Sequence, residues 1–168
     1  PHLTLVGVVD ADLGLAGDPG SVLSRLVDTS MLDAEFTEFT EFAGGGTRYR
    51  MLETLRAFGL DRLAAEGEDD DGADRLLRWA VDRTAWIGAT LLTEREPEAD
   101  AVLRREVANL RAAWQLARRR KDVDEAAAMI TALFDAISYR DLVELRDWAE
   151  DLASEFDTDP ALAAHPRA

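Results

Sequence analysis

The sequence predicts a mainly α protein with a single β-hairpin near its start and antiparallel helix pairs after it. Three observations carry that prediction. Apolar residues recur at helical spacing through most of the second half, from Leu76 to Leu152. Between Met31 and Met51 the period changes to two, as in a half-buried strand. Gly44, Gly45 and Gly46 separate the two alternating runs, where a tight turn requires positive φ. The 168 residues, 47% apolar and 32% charged, are enough for the packed core of one domain or two small ones.

Residues 1–18 suit a buried strand through Leu3, Leu5, Val6, Val8 and Val9, or a short helix through Leu13 and Leu15; both readings stand. Asp18, Pro19 and Gly20 break the chain, and Ser21 can cap a helix over about 21–29 whose stripe is Val22, Leu23, Leu26 and Val27. In the hairpin, Leu32, Ala34 and Phe36, then Phe39 and Phe42, are set against Asp33, Glu35, Glu38 and Glu41. On the return strand Tyr49 and Met51 alternate with Arg48 and Arg50, so acidic and basic faces oppose each other across the pair. A helix follows with Leu52, Leu55, Phe58, Leu60 and Leu63 and stops at Gly67. The acidic run from Gly67 to Asp74 reads as a solvated loop. Helices are predicted over about 73–95, 99–120, 123–138 and 141–156, with Pro97 as punctuation and a further helix starting at Asp159 and Pro160. Helix, hairpin and helix in that order suit a winged-helix domain at 1–66. An acidic linker at 67–73 then leads to stacked helix pairs at 74–168, the start of a tetratricopeptide-like solenoid.

Composition removes several chemistries. With no Cys, disulfide frameworks, thiolate zinc sites and cysteine nucleophiles are excluded, and the two imidazoles, His2 and His165, sit close to the ends. No apolar stretch approaches the roughly 20 residues that cross a bilayer, and no cationic-then-apolar leader opens the chain, so a cytoplasmic location is expected. A net charge of −15 opposes contact with phosphate backbones. The GGGTR at 44–48 has no Lys, following hydroxyl and helix at phosphate-loop spacing, and reads as a hairpin turn. The carboxylates at 66–74 lack the spacing of a calcium loop, and no metal ligands are assigned. Arg118, Arg119, Arg120 and Lys121 suit the negative end of a helix dipole. Arg48 and Arg50 are candidate contacts to a nucleic-acid backbone. Residues 1–50 nonetheless carry eight acids against three arginines, so direct DNA binding is not the expected role. Trp79, Trp86, Trp114 and Trp148 read as core. Nothing places two acids in one apolar pocket, and the chain is expected not to be an enzyme by itself.

Three segments resemble the middle of bacterial transcriptional regulators of the STAND class, signal-transduction ATPases of the Streptomyces antibiotic regulatory protein and LuxR types. They are SRLVDTSML at 24–32, YRMLETLRAFGLDRLAAEGE at 49–68, and EVANLRAAWQLARRRKDVDEAAAMITALF at 106–134, with RDLVELRDWAEDL at 140–152 following as the next repeat helix. The resemblance implies a winged-helix remainder followed by the start of a helical-repeat sensor. It places the nucleotide-binding ATPase domain, with any ATP or ADP, upstream, so no cofactor is expected in this chain. The implied partners are that ATPase domain and a protein or small-molecule effector on the repeats. Related switches carry a Met-His-Asp triplet whose His reaches the nucleotide. The matching positions here are Met51, Leu52 and Glu53, with Arg50 beside them as the remaining cation. Leu52 stands in place of the His and cannot donate to phosphate, and Trp79 stands where the family often has His.

Overall fold

The computed structural model describes residues 19–37, 46–140 and 142–158. The alternatives for 1–18, the hairpin positions at Phe39 and Phe42, the turn glycines Gly44 and Gly45, and the helix start at Asp159 and Pro160 lie outside the described residues. Among the described residues the chain forms helix α1 (Pro19–Asp28), strands β1 (Asp33–Thr37) and β2 (Gly46–Arg50), and helices α2 (Glu53–Glu66), α3 (Asp69–Leu91), α4 (Glu96–Arg120), α5 (Val123–Ala132), α6 (Phe134–Tyr139) and α7 (Val143–Thr158). The mainly α class, with one antiparallel hairpin before the helix pairs, is the class that the periodicities predict.

The strands pair in the register Asp33 with Arg50, Ala34 with Tyr49, Glu35 with Arg48, and Phe36 with Thr47. Acidic and basic positions therefore face each other, as the alternation predicts. On the apolar face of the hairpin Ala34 and Tyr49 are half-buried, and Phe36 is 84% exposed.

From α3 onward the helices stack. Asp74 at the start of α3 pairs with Arg120 at the end of α4, so the two run antiparallel. Arg111, Trp114 and Arg118 of α4 meet Glu144, Trp148 and Glu155 of α7 in ascending order, so α4 and α7 run parallel. Gly88 of α3 lies against Ala132 of α5, and Arg78, Val81 and Asp82 face Asp124, Glu125 and Ala128, so α3 and α5 are also parallel. Two helical hairpins are thus laid one on the other. Their shared core includes Ile87, Leu91, Leu103, Leu110, Met129, Leu133 and Leu145. All four tryptophans join it: Trp114 and Trp148 are buried and stacked 5.4 Å apart, while Trp79 and Trp86 pack partly buried against the same cluster.

Several helix limits differ from those the sequence predicts: α3 ends at Leu91 rather than about 95, α4 begins at Glu96 rather than about 99, and two larger differences follow. The acidic run is helical from Asp69, and only Gly67 and Glu68 separate α2 from α3. Asp69, Asp70 and Asp71 occupy the first turn of α3, where free N–H groups and the positive dipole end favour carboxylates. The helix expected over 123–138 is two helices meeting at Leu133. At that point the backbone of α5 reaches α3 so closely that a Cβ on Gly88 would sit 2.0 Å from the Ala132 carbonyl oxygen. Pro97 falls inside the first turn of α4, a position that needs no N–H donor.

Candidate functional site

The residues expected to form a switch segment converge at the junction of β2 and α2. The strand ends at Arg50, Met51 and Leu52 bridge, and Glu53 opens the helix. Leu52 is extended, and its carbonyl accepts the Arg56 N–H at 2.9 Å, which starts the helical ladder without a side-chain cap. Glu53 favours the first turn through its charge and pairs with Arg56 at 3.2 Å. Leu52 is 50% exposed, so this position offers an apolar surface and no donor.

Arg50, at the end of β2, carries a guanidinium able to hold an anion. Its Nη1 lies 2.8 Å from Glu35 Oε1, diagonally across the hairpin, and its Nε is enclosed without a hydrogen-bond partner. An incoming phosphate would have to compete with that carboxylate. Arg48 faces Glu35 in the strand register, and its side chain lies outside the described residues. The structure thus brings Arg50, Met51, Leu52 and Glu53 together as chain neighbours around one engaged guanidinium.

The other basic run is also engaged. Arg118 pairs with Glu155 and lies over Trp114 at 5.6 Å, while Arg120 pairs with Asp74 at 2.8 Å and Asp122 at 3.0 Å. These cations fasten the end of α4 to its neighbours, which goes beyond completing the helix dipole. Among the described residues no group of three or more His, Asp or Glu is placed to hold a metal ion.

Sequence reasoning by residue type did not single out three features. The first is a buried polar pair on α4: Asn109 Nδ2 donates to Glu106 Oε2 at 2.8 Å, with both residues at most 3% exposed and Arg105 Nε 3.1 Å from the other carboxylate oxygen. The i, i+3 spacing of Glu106 and Asn109, in a stretch whose remaining stripe is apolar, was the available signal. The second is an open cavity of about 640 Å³ between the α3–α4 connection and the end of α6, lined by Thr93, Glu94, Glu96, Asp100, Tyr139 and Arg140. Arg140 is held there by Glu96 at 2.6 Å and Asp100 at 2.9 Å. The third is an uncovered apolar surface before Gly67. Phe36, Leu52, Phe58 and Leu60 are each at least 49% exposed, and α2 buries none of its residues.

No helix among the described residues is long and apolar enough to cross a membrane. No family model matches the chain, and no solved structure matches it. Over 122 residues it is 33% identical to proteins of Mycobacterium bovis and of two strains of Mycobacterium tuberculosis, which are provisionally named HTH-type transcriptional regulators. The matched part is 69% of this chain and 13% of each relative, so the chain spans about an eighth of the length of the curated relatives it matches. By sequence, the chain is similar to one short stretch of much longer proteins that bear the name of transcriptional regulators.

Proposed function

We propose that this chain is a non-catalytic regulatory segment of a transcriptional regulator, in which residues before Gly67 dock on a nucleotide-switching ATPase domain and the helical stack receives a protein or small-molecule effector. The observation that carries the reading is the uneven burial: α2 buries nothing and leaves Phe58 and Leu60 exposed, whereas the helices after it close a core of their own. A helix with apolar residues and no buried face is half of an interface. The relatives' name and the resemblance of residues 24–32, 49–68, 106–134 and 140–152 to STAND-class regulators point the same way. In this reading the chain is no enzyme, holds no cofactor of its own, works in the cytoplasm, and follows the division into a winged helix at 1–66 and a tetratricopeptide-like repeat region at 74–168. Any ATP or ADP belongs to the upstream domain. Effector binding can bias the switch only through unequal affinity for its two states.

Amide exchange tests it. In a protein that includes the preceding domain, β1, β2 and the start of α2 should exchange more slowly than in the 168-residue chain. Equal protection in both would overturn the docking.

A second reading has one observation in its favour, the helix-turn-helix name of the relatives. In it Arg48 and Arg50 touch the DNA backbone. Binding should then fall steeply with salt and be lost in the Arg48→Ala, Arg50→Ala double variant; unchanged affinity would leave DNA contact to other parts of such a protein.

A further inference from the structure

The part of the molecule before Gly67 meets the helical stack principally through α2 on α3, and that contact is slight. Leu63 is its visible anchor: its Cδ1 lies 3.9 Å from where a Cβ of Gly72 would be, an ordinary contact distance. The ion pairs Arg56 with Glu53 and Arg62 with Glu66 are internal to α2 and fasten it to nothing else. Two residues, Gly67 and Glu68, connect the helices. Gly67 is left-handed, at φ 73° and ψ 26°, and the chain closes α2 with two hydrogen bonds, from the Gly67 N–H to the Ala64 carbonyl at 3.2 Å and from the Glu68 N–H to the Leu63 carbonyl at 2.9 Å. Nothing within 4 Å would meet a Cβ at Gly67, so the outer side of this residue is open. Glycine also has the widest choice of φ and ψ.

We propose that Gly67 and Glu68 form a hinge, about which α2 swings relative to the stack that begins with α3. On the stack side α3 is tied to its neighbours by the Asp74–Arg120 pair and, from Leu77 onward, by burial in the core, so motion concentrates in the joint. A helix of 14 residues is a lever of about 20 Å, so small changes in two residues become large displacements at its far end. The hinge rests on the geometry of the joint alone and stands apart from the docking reading. It adds a condition to that reading: a partner reaches the switch through the stack only if it changes the angle at Gly67.

The chain contains no Cys, so paired spin labels can be placed without background. In the 168-residue chain, labels at Thr54→Cys and Ala89→Cys span the joint, and labels at Ala89→Cys and Arg119→Cys lie within the stack; all three positions are exposed. The expected result is a distance distribution at least about twofold broader across the joint than within the stack. Leu63→Ala should broaden the first further and leave the second unchanged, the second also reporting that the stack remains folded. A cross-joint distribution as narrow as that of the stack pair would overturn the hinge, and so would one indifferent to Leu63→Ala. Either failure would leave the docking reading to be decided by amide exchange.

Discussion

Helices α2 and α4 are both rich in leucine, alanine and arginine, and both resemble the same kind of regulator in sequence, yet α4 buries nine of its residues and α2 none. The difference lies in their neighbours. α4 has α3 on one side and α7 on another, so the stripe of Val102, Leu103, Leu110 and Trp114 is enclosed. α2 touches α3 around Leu63 and presents Phe58 and Leu60 to solvent. Among the described residues before Gly67, Leu32 is the large apolar side chain that is buried. Helix formation in α2 rests on propensity and on what happens at its ends, whereas in α4 it rests on tertiary packing, which usually contributes more to a helix's stability. The lesson is that one chain can combine helices that enclose a core with a helix of similar composition that buries none of its residues.

Truncations should expose that contrast most strongly. Leu110→Ala, at a fully buried position, should cost about 2–5 kcal/mol in denaturant unfolding of the stack. Phe58→Ala, at a site 62% exposed, should change the same midpoint by no more than about 0.5 kcal/mol. Comparable losses would mean that α2 is enclosed in solution. The glycines give a second pair. Gly88→Ala would press a methyl group into the Ala132 carbonyl and should cost about 3 kcal/mol, because backbone on both sides must yield. Gly59→Ala, in α2 with nothing within 4 Å of the new Cβ, should instead gain about 0.5–1 kcal/mol of helix propensity. Opposite signs for the same substitution in two helices, read by thermal unfolding, would mark which helix is packed.

Polar groups inside the stack sharpen the comparison at smaller amplitude. Glu106→Ala removes the acceptor for Asn109 Nδ2 in a site with no access to water and should cost about 1–3 kcal/mol. Glu53→Ala, which removes a pair internal to exposed α2, should cost well under about 1 kcal/mol. Equal effects on urea midpoints would show that the Glu106 carboxylate is solvated after all.

Much of this architecture is legible in the sequence because it is local. The hairpin register follows from acids at Asp33 and Glu35 set against Arg50 and Arg48, and the end of α2 follows from Gly67. The four tryptophans lie at core positions because their stripe spacing puts them there. The start of α3 is not legible in this way, because Asp69, Asp70 and Asp71 are both loop-like by composition and good first-turn residues, and composition alone does not separate the two. The break at Leu133 is not legible in this way either: it follows Ala132, whose carbonyl lies against Gly88, 44 positions earlier in sequence. The candidate site is legible only as a place. That Arg50, Met51, Leu52 and Glu53 share a junction follows from the chain, but the claim of Glu35 on Arg50 needs the fold.

Acid sensitivity gives the smallest and most selective test. Asp100 of α4 receives hydrogen bonds from Arg104 at 2.8 Å, within its own helix, and from Arg140 at 2.9 Å, beyond the end of α6. Burial alone would raise its pKa, but the two guanidinium groups, Arg104 before Arg140, outweigh that and hold the carboxyl below its ordinary value. A carboxyl depressed on folding favours the native state above its unfolded pKa of about 3.9, and this contribution disappears as pH falls through the lower, folded value. The wild-type stack should therefore lose more stability than Asp100→Asn between about pH 5 and pH 3, by less than about 1 kcal/mol because the pair is partly solvated. In α2, by contrast, Arg62 and Glu66 join one turn of a helix to the next and touch no other element. If Asp100→Asn leaves the acid limb unchanged, the guanidinium groups of Arg104 and Arg140 add nothing to the stability of the stack.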